Sequence, residues 1–306
     1  MVGDSNTAKI LGVDYVNRAH PTLGIEPLSL SDLLARVPPG HFAQPQRPNF
    51  HLLILVVSGG GTHFLDFERI ACQPGTLLHV RPGQVQQFGR DQGLQAEVLL
   101  FTPESVLPET GIGEFLWFGA LIDNVLPQGA GCLEERDLGY LRQTFDALDL
   151  EYRGTDGSLV SARTLQHLLH ALLFQIMRYT RVLDAPQIKQ SYRLTCRRFL
   201  KELDARFIES RNVGDYAEEL GCTVKTLRRA CLATRGVPPK ALIEQRVVLE
   251  AKRLLAHTDL PVEAVAVSVG FTEPTNFVKF FRGHAGMLPS KFRASFPGIP
   301  SGIRRR

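Results

Sequence analysis

The last third of the chain repeats itself with a period of 49–50 residues. Seven positions of the first copy return in the second with similar residue types: Val213, Ala217, Gly221, Leu227, Cys231, Gly236 and Pro239 correspond to Val262, Ala266, Gly270, Phe277, Phe281, Gly286 and Pro289. The turn inside the second copy is one residue longer. A duplication of this length requires a fold that contains the same supersecondary unit twice.

Each copy predicts a helix-turn-helix unit. Its first helix ends at a glycine, which adopts the left-handed conformation needed where the chain reverses direction. Ala217 and Ala266 are small enough to let two helices cross closely. The residues placed to cap the second helix are Thr223 in the first copy and Thr272 or Glu273 in the second. The predicted units cover about residues 213–233 and 262–283.

The second helix of each unit has a polar face that the core does not use. Its polar residues are Lys225, Thr226, Arg228 and Arg229 in the first unit and Thr275, Asn276 and Lys279 in the second. Side chains with paired donors on a helix are suited to reading guanine or adenine edges in a major groove. A single unit would also fit an ordinary helical hairpin with a polar outer face, but the duplication favours DNA binding.

The segment Ala241–His257 predicts a helix that joins the two units. Its apolar face consists of Ile243, Val247, Ala251 and Leu254. Its 17 residues extend about 25 Å at roughly 1.5 Å per residue. With the width of the flanking helices, the two recognition helices are expected to lie about 34 Å apart, which is one turn of DNA.

The charge of the chain changes sign near Pro186. Residues 1–186 carry 13 Lys and Arg against 20 Asp and Glu, a net charge of −7. Residues 187–306 carry 22 against 11, a net charge of +11. A cationic C-terminal third beside an acidic partner is typical of a nucleic-acid-binding domain attached to a domain with another task.

The N-terminal half has two different periodicities. Between Phe50 and Phe101, short apolar stretches alternate with Gly and Pro at intervals of roughly 8–12 residues, which predicts a small β-sandwich or barrel. Between Leu138 and Arg181 the apolar residues fall at helical spacing. The clearest series is Leu165, Leu168, Leu169, Leu172, Leu173 and Ile176, and we expect this apolar helix to pair with its twin in a dimer. His167 and His170 lie beside it and are interpreted as ordinary helix residues.

The cysteines and the ends of the chain indicate a reducing compartment. Cys72, Cys132, Cys196, Cys222 and Cys231 form no CxxC pair and have no histidine at metal-ligand spacing, so neither zinc nor a disulfide framework is expected. The sequence begins without a basic and apolar leader, and its longest clean apolar run, Leu52 to Val57, is too short to span a membrane. We therefore expect the cytoplasm.

The stretch GFTEPTNFVKFFRGHAGMLPSKFR, from Gly270 to Arg293, resembles the C-terminal signature of the AraC/XylS family of bacterial transcription regulators. The resemblance covers about residues 191–296. It implies that the base-contacting residues are Lys225, Arg228 and Arg229 on the first recognition helix and Thr275, Asn276 and Lys279 on the second. Lys279 replaces the usual arginine and Cys231 the usual aromatic, so a less stringent second helix and a looser first core are expected.

The N-terminal half is similar to the cupin-like sensor domains of the same family. The similar stretches are HLLILVVSGGGTHF and QPGTLLHVRPGQVQQF. Metal-binding cupins have His-x-His in the first motif and a further histidine in the second, where this chain has Gln86 and Gln87. A metal-dependent enzyme is therefore disfavoured, and His51, His63 and His79 are interpreted as isolated strand residues. The resemblance implies that Ser58, Gln86 and Phe88 face a ligand pocket, and Arg81 could pair with an anion.

These observations together predict an α+β protein of two domains that binds DNA and is not an enzyme. Residues 1–183 form a cupin-like β-barrel with a helical dimerisation segment, residues 184–190 a linker, and residues 191–298 an all-α domain with both helix-turn-helix units. The predicted DNA-binding residues are Thr223, Lys225, Thr226, Arg228, Arg229, Thr272, Thr275, Asn276 and Lys279, and the predicted ligand-binding residues are Ser58, Arg81, Gln86 and Phe88.

The predicted function is an activator of transcription controlled by a small-molecule effector. We expect double-stranded DNA, the effector, a second copy of the chain and RNA polymerase as partners, with no cofactor or metal, in a bacterial cytoplasm and at the nucleoid when bound to DNA. One alternative is an architectural DNA binder whose barrel only dimerises. A cupin enzyme is a second alternative, disfavoured because the sequence shows no clustered nucleophile, base or metal ligands.

Overall fold

The computed structural model describes residues 10–38, 41–106, 130–180 and 189–295. The chain divides between residues 185 and 186 into two compact units, and each is described by itself. Of the predicted linker over 184–190, residues 184–188 lie outside the described part, and Gln190 begins a helix. No helix among the described residues is long and apolar enough to span a membrane.

The N-terminal unit is built on a curled β-sheet that forms a cupin-like half-barrel. The described strands are β1 (Leu11–Val13), β2 (Ile25–Ser29), β3 (Gln46–Pro48), β4 (His51–Leu65), β5 (Glu68–Cys72), β6 (Thr76–Val80), β7 (Gln86–Phe101) and β8 (Ala130–Cys132). The main path of the sheet runs β1-β3-β7-β4-β6-β8, with β2 paired to β7 and β5 to β4. Register shifts between Val56 and His63 interrupt the long antiparallel pair β4–β7, and such bulges bend a sheet.

Alternation along the strands divides the apolar side chains between two cores. The inner core lies on one face of the sheet and includes Leu52, Ile54, Val56, Leu65, Val80 and Val98. The helix-side core lies on the other face, where Leu53, Leu55, Leu77, Leu99 and Phe101 pack against helices. The near-continuous apolar run from Leu52 to Val57 is explained by this arrangement, since a strand buried on both faces needs apolar residues at every position.

The described part of this unit contains three α-helices: α1 (Leu30–Ala35), α2 (Glu135–Gly154) and α3 (Leu159–Thr180). The helical periodicity beyond Leu138 therefore predicts α2 and α3 correctly. The apolar face of α3 was expected to pair with its twin in a dimer, and that expectation is wrong for this face. Leu165, Leu169, Leu172, Leu173 and Ile176 are fully buried in the helix-side core of the same chain, where they contact α2 and the sheet.

The C-terminal unit consists of helices in its described part. They are α4 (Gln190–Arg206), α5 (Val213–Glu219), α6 (Val224–Arg235), α7 (Pro239–His257), α8 (Val262–Ser268), α9 (Pro274–Ala285) and α10 (Pro289–Ser295). We call α5–α6 the first unit and α8–α9 the second unit. The first helix of each has 7 residues and the second has 12, as the repeat predicts.

Glycines end the helices of both units at equivalent positions. Gly221 and Gly270 close the first helices at φ of 62° and 78°, and Gly236 and Gly286 close the second helices at 71° and 72°. Because an L-residue with a side chain is strained at such angles, these glycines set where each helix stops. The backbone of the repeat is thus fixed by the glycine positions that the sequence duplicates.

The joining helix α7 has 19 residues and is about 28 Å long at roughly 1.5 Å per residue. Ile243, Val247 and Ala251 are fully buried as expected, whereas Leu255 is buried more deeply than Leu254. The core face of α4 consists of Phe199, Leu203 and Phe207, which are buried, together with Tyr192, which is half-buried.

Candidate nucleic-acid interface

Helix α6 presents a cationic face to solvent. Thr223 caps the helix, because its hydroxyl accepts a hydrogen bond from the Thr226 backbone N–H at 3.1 Å. The two threonine hydroxyls also lie 2.9 Å apart, and Thr226 is half-buried. Lys225, Arg228 and Arg229 are exposed. The structure therefore brings three cations together on one helix whose start is fixed by its cap.

Helix α9 occupies the same place in the second unit but begins differently. Glu273 is its N-cap residue, with no hydrogen bond from its side chain, and Pro274 takes the first helical position. Thr272 precedes the cap and is exposed in the turn, so neither residue serves as the expected side-chain cap. Thr275, Asn276 and Lys279 are exposed on α9. This face carries one cation among its predicted contact residues, against three on α6.

The cores beneath the two recognition helices are filled differently. In the second unit Phe277 and Phe281 are fully buried on α9, and their rings lie 5.7 Å apart. In the first unit Leu227 and Cys231 take these positions, also fully buried. Phe199 of α4 and Tyr216 of α5 supply the aromatic contact there, with ring centroids 5.4 Å apart in an edge-to-face arrangement. The first core thus takes its aromatic rings from positions outside the duplicated pattern.

Sequence reasoning missed an exposed arginine on α9. Arg282 lies three residues beyond Lys279 and seven beyond Thr275, so helical spacing places it on their face. The periodicity that selected the other residues predicts Arg282 when it is extended by one turn. An exposed guanidinium at this end of a recognition helix is suited to contact with a phosphate.

The inner face of the N-terminal sheet carries a group of neutral polar side chains. Gln86 donates from Nε2 to Gln46 Oε1 at 2.9 Å, and its own Oε1 is buried with no hydrogen-bond partner in the described part of the chain. His63 is 1% exposed, and neither of its ring nitrogens has such a partner. The Phe88 ring packs edge-on against His63 at 4.8 Å. The predicted ligand residues Gln86 and Phe88 therefore lie together, with His63 as an addition.

Burial keeps His63 uncharged. Desolvation lowers the pKa of His63 to about 4, because an imidazolium cation loses its hydration inside the sheet. A neutral imidazole has one donor and one acceptor nitrogen, and the amide oxygen of Gln86 is an acceptor. This site therefore offers hydrogen bonds without charge.

The sequence suggested that His51 and His79 are isolated residues, but the structure brings them into contact. Their rings are stacked at 5.2 Å with His51 Nδ1 3.0 Å from His79 Nε2, and His51 also stacks on Phe101 at 4.8 Å. Desolvation, with a smaller contribution from the charge of Arg81, lowers the pKa of His51 to about 3. Desolvation and the charges of His51 and Arg81 hold the pKa of His79 well below its usual value.

Two predicted ligand residues lie away from Gln86 and Phe88. His79 is paired with Leu53 of the helix-side core, and Arg81, just beyond the end of β6, lies near enough for its charge to lower the pKa of both His51 and His79. Ser58 is half-buried in the bulged part of β4, where its hydroxyl donates to Gln95 Oε1 at 2.8 Å. Among the residues that the structure describes, no cluster of three or more His, Cys, Asp or Glu could hold a metal ion.

Comparison with known families matches both halves of the chain. The family described as an AraC-like ligand binding domain matches residues 31–211, and a helix-turn-helix domain matches residues 216–295. The HTH-type transcriptional activator RhaS of Escherichia fergusonii is 23% identical over 293 residues, covering 93% of this chain and 96% of the relative. RhaS of Pectobacterium carotovorum is 24% identical over 283 residues, covering 92% and 95%.

Solved structures with similarity to this chain include ToxT from Vibrio cholerae, at 12% identity and a TM-score of 0.38. The match covers 82% of this chain and 92% of ToxT. A probable AraC family transcriptional regulator from Rhodopseudomonas palustris is 22% identical with a TM-score of 0.30, covering 34% of this chain and 97% of the other.

Proposed function

The chain belongs to the AraC family of transcription regulators, and from this premise we propose that it activates transcription by reading two DNA half-sites with α6 and α9. Lys225, Arg228 and Arg229 make the principal base contacts from α6. Fewer base contacts come from α9, through Thr275, Asn276 and Lys279. Thr223, Thr226 and Thr272 lie at the starts of these helices and contact the sugar-phosphate backbone, since hydroxyl groups there are suited to phosphate contacts.

The observation that carries this proposal is the cationic face of α6 on a duplicated backbone. Three exposed cations lie on a helix capped by Thr223, and the second unit repeats the helix lengths and glycine angles. A helical hairpin with a purely structural role does not require a cationic outer face. Nor does it require a second copy, joined to the first by a helix that lets the two recognition helices reach about one turn of DNA.

Selection of bound sequences from random DNA duplexes with the full-length protein tests the proposal. We expect two half-sites, with centres about 10 base pairs apart. The affinity of the selected duplex is expected to fall steeply with salt, because each neutralised phosphate releases counterions. The combined change K225A, R228A and R229A is expected to abolish selection.

A control removes one positive charge away from the recognition helices. Lys201 is exposed on α4, outside both units. Replacing Lys201 with Ala is expected to lower affinity only slightly and to leave the selected sequence unchanged. If the wild-type protein selected no sequence, or the triple variant selected the same one, the proposed role of α6 would be refuted.

We further propose that the N-terminal half-barrel binds a neutral, hydrogen-bonding effector between Gln86, His63 and Phe88. The buried Gln86 Oε1 and the two His63 nitrogens have no partner in the described part of the chain, and such atoms in a protein interior are normally satisfied. A ligand with hydroxyl groups can donate to Gln86 and both donate to and accept from a neutral imidazole. Ser58 and Arg81 have secondary roles in this proposal, outside the central group.

A thermal-shift screen of neutral metabolites tests the effector site. A true effector raises the melting temperature of the wild-type protein and changes its affinity for the selected DNA. Gln86→Leu is expected to remove both effects, whereas Gln143→Leu, the same change at an exposed site on α2, is expected to keep them. If no compound acted on the wild type, the alternative of a barrel that only dimerises would be favoured.

A homodimer and RNA polymerase complete the proposal as partners, in a bacterial cytoplasm and at the nucleoid. Because the apolar face of α3 is buried within its own chain, we propose that the dimer forms through other surfaces. Leu150, Leu159 and Val160 are at least 70% exposed around the turn between α2 and α3. Val160→Glu is expected to shift sedimentation of the full-length protein toward the monomer, whereas an unchanged sedimentation coefficient would exclude this surface.

A further inference from the structure

A loop of the first half of the C-terminal unit is attached to the turn of the second unit. Arg211, between α4 and α5, donates from Nη2 to the Val269 carbonyl oxygen at 2.8 Å. Its guanidinium carbon lies 3.4 Å from the centre of the Phe271 ring and 5.8 Å from that of Phe280. Arg211 directly precedes the first unit, whereas the other three residues belong to the second, so this contact joins the two units at a point far along the chain from α7.

The neighbouring backbones are also in close contact. A Cβ atom on Gly270 would lie 2.3 Å from the Ile208 carbonyl oxygen. Because φ at Gly270 is 78° and the opposing atom is backbone, only glycine fits this approach. The turn of the second unit is therefore seated directly on the loop that carries Arg211.

The contacts continue through α9 and α7 and return to Arg211. Phe271 packs on Phe280 at 5.2 Å, and Phe280 on His284 at 4.4 Å. His284 Nε2 lies 3.3 Å from Glu244 Oε2 on α7. Lys240, also on α7, lies 3.7 Å from Glu244 and donates to the Arg211 carbonyl oxygen at 3.1 Å. The closed ring of contacts connects the loop, the recognition helix α9 and the joining helix.

A chain joined only through α7 and the short connection at 258–261 would let the second unit pivot. The closed ring of contacts supplies a second attachment, which restricts that pivoting. We propose that Arg211 is a positioning residue that holds α9 at one angle to the first unit, so that the protein accepts its two half-sites at a single spacing. This inference rests on the proposed function, because spacing has meaning only when both units bind DNA.

The contacts of Arg211 require arginine. A planar guanidinium stacks on an aromatic ring while its edge donates to a carbonyl, and the compact ammonium group of lysine does not do both. Burial lowers the pKa of Arg211, and no ion pair to it occurs in the described part of the chain. This desolvated cation has no carboxylate partner there, and the aromatic rings of Phe271 and Phe280 and the Val269 carbonyl oxygen stabilise it instead.

The test measures how affinity depends on spacing, with full-length protein and the duplex selected by the wild type. Inserting one base pair between the half-sites rotates one of them by about 35°. We expect the insertion to lower wild-type affinity about tenfold or more. Arg211→Lys, which keeps the charge, is expected to lose about threefold or less on insertion and to bind the original duplex less tightly, with α6 selecting an unchanged half-site.

Arg206→Lys is the matched control. Arg206 forms ion pairs with Glu209 and Glu219, and both of these partners lie outside the second unit. We expect the inserted base pair to lower the affinity of this variant as much as it lowers that of the wild type, which is the full spacing penalty. Circular dichroism is expected to show the same helix content in both variants. An unchanged penalty in Arg211→Lys overturns the positioning role, as does a wild-type site with one half only. Failure of the wild type to select any DNA refutes the proposed function instead.

Discussion

The two helix-turn-helix units have nearly the same backbone and different side chains. Their helices have equal lengths, and their C-terminal glycines differ by one degree in φ. The first core contains Leu227 and Cys231 where the second contains Phe277 and Phe281, and the outer faces carry different numbers of cations. This difference shows that a few glycine positions determine the backbone, whereas core and contact residues vary separately in each copy.

The sharpest contrast is expected between the aligned core residues Phe281 and Cys231. Phe281→Ala removes a fully buried ring and is expected to cost about 4 kcal/mol of unfolding free energy. Cys231→Ala removes one sulfur atom and is expected to cost about 1 kcal/mol. Urea unfolding followed by far-ultraviolet circular dichroism measures both, and equal losses would show that the first core depends on Cys231 more than its size suggests.

The loss of stability on replacing the aligned turn glycines is also expected to differ between the two units. Gly221→Ala places a methyl group in open space at φ 62°, so we expect a cost of about 1 kcal/mol for the left-handed backbone alone. Gly270→Ala adds the collision with the Ile208 carbonyl, which raises the expected cost to about 3 kcal/mol. The same unfolding experiment compares them. Equal costs would mean that the loop beneath Gly270 moves freely, which would also weaken the role given to Arg211.

The recognition helices should contribute unequally to DNA binding. Arg228→Ala is expected to cost about 2 kcal/mol and to relax preference at one base pair, because a base contact is lost. Lys279→Ala is expected to cost less than about 1 kcal/mol and to relax preference at its base pair only weakly, because α9 makes fewer base contacts than α6. Fluorescence anisotropy on the selected duplex and its single-base variants separates the two patterns. The reverse pattern would make α9 the principal reader.

The smallest expected difference is at the helix starts. Thr223→Ala removes the side-chain cap of α6 and is expected to cost about 1 kcal/mol of stability. Glu273→Ala is expected to change stability very little, since this side chain makes no capping hydrogen bond. Thermal unfolding of the two variants checks the comparison. A clear loss in Glu273→Ala would indicate that its charge stabilises the helix through the dipole.

The architecture followed from local patterns that leave clear traces in a sequence. The duplicated glycines predict the turns, the strand rhythm from Phe50 to Phe101 predicts the sheet, and the two halves match the expected families. Helical spacing also predicts which face of α3 is buried. It does not indicate what covers that face, because the same apolar series fits a dimer partner or the sheet of its own chain.

Sequence reasoning missed those parts of the sites that depend on contacts between residues far apart in the sequence. His51 and His79 are 28 residues apart, and the strand register that stacks them is not visible in a single sequence. The same holds for Arg211, which precedes the first unit and contacts Phe271 of the second. The base-contact and ligand residues named from the sequence stay predictions, now with known exposure and neighbours.

Three buried histidines of the N-terminal unit, His51, His63 and His79, also link its stability to proton concentration. Their folded-state pKa values lie below the usual 6.5, so the unfolded chain takes up protons first as the pH falls. Their contribution is therefore complete above about pH 6.5. Below that pH, the contribution of each histidine to the free energy of unfolding falls by about 1.4 kcal/mol per pH unit until the pH reaches its own folded-state pKa. A domain proposed to sense a metabolite is thus expected to be acid-labile as well.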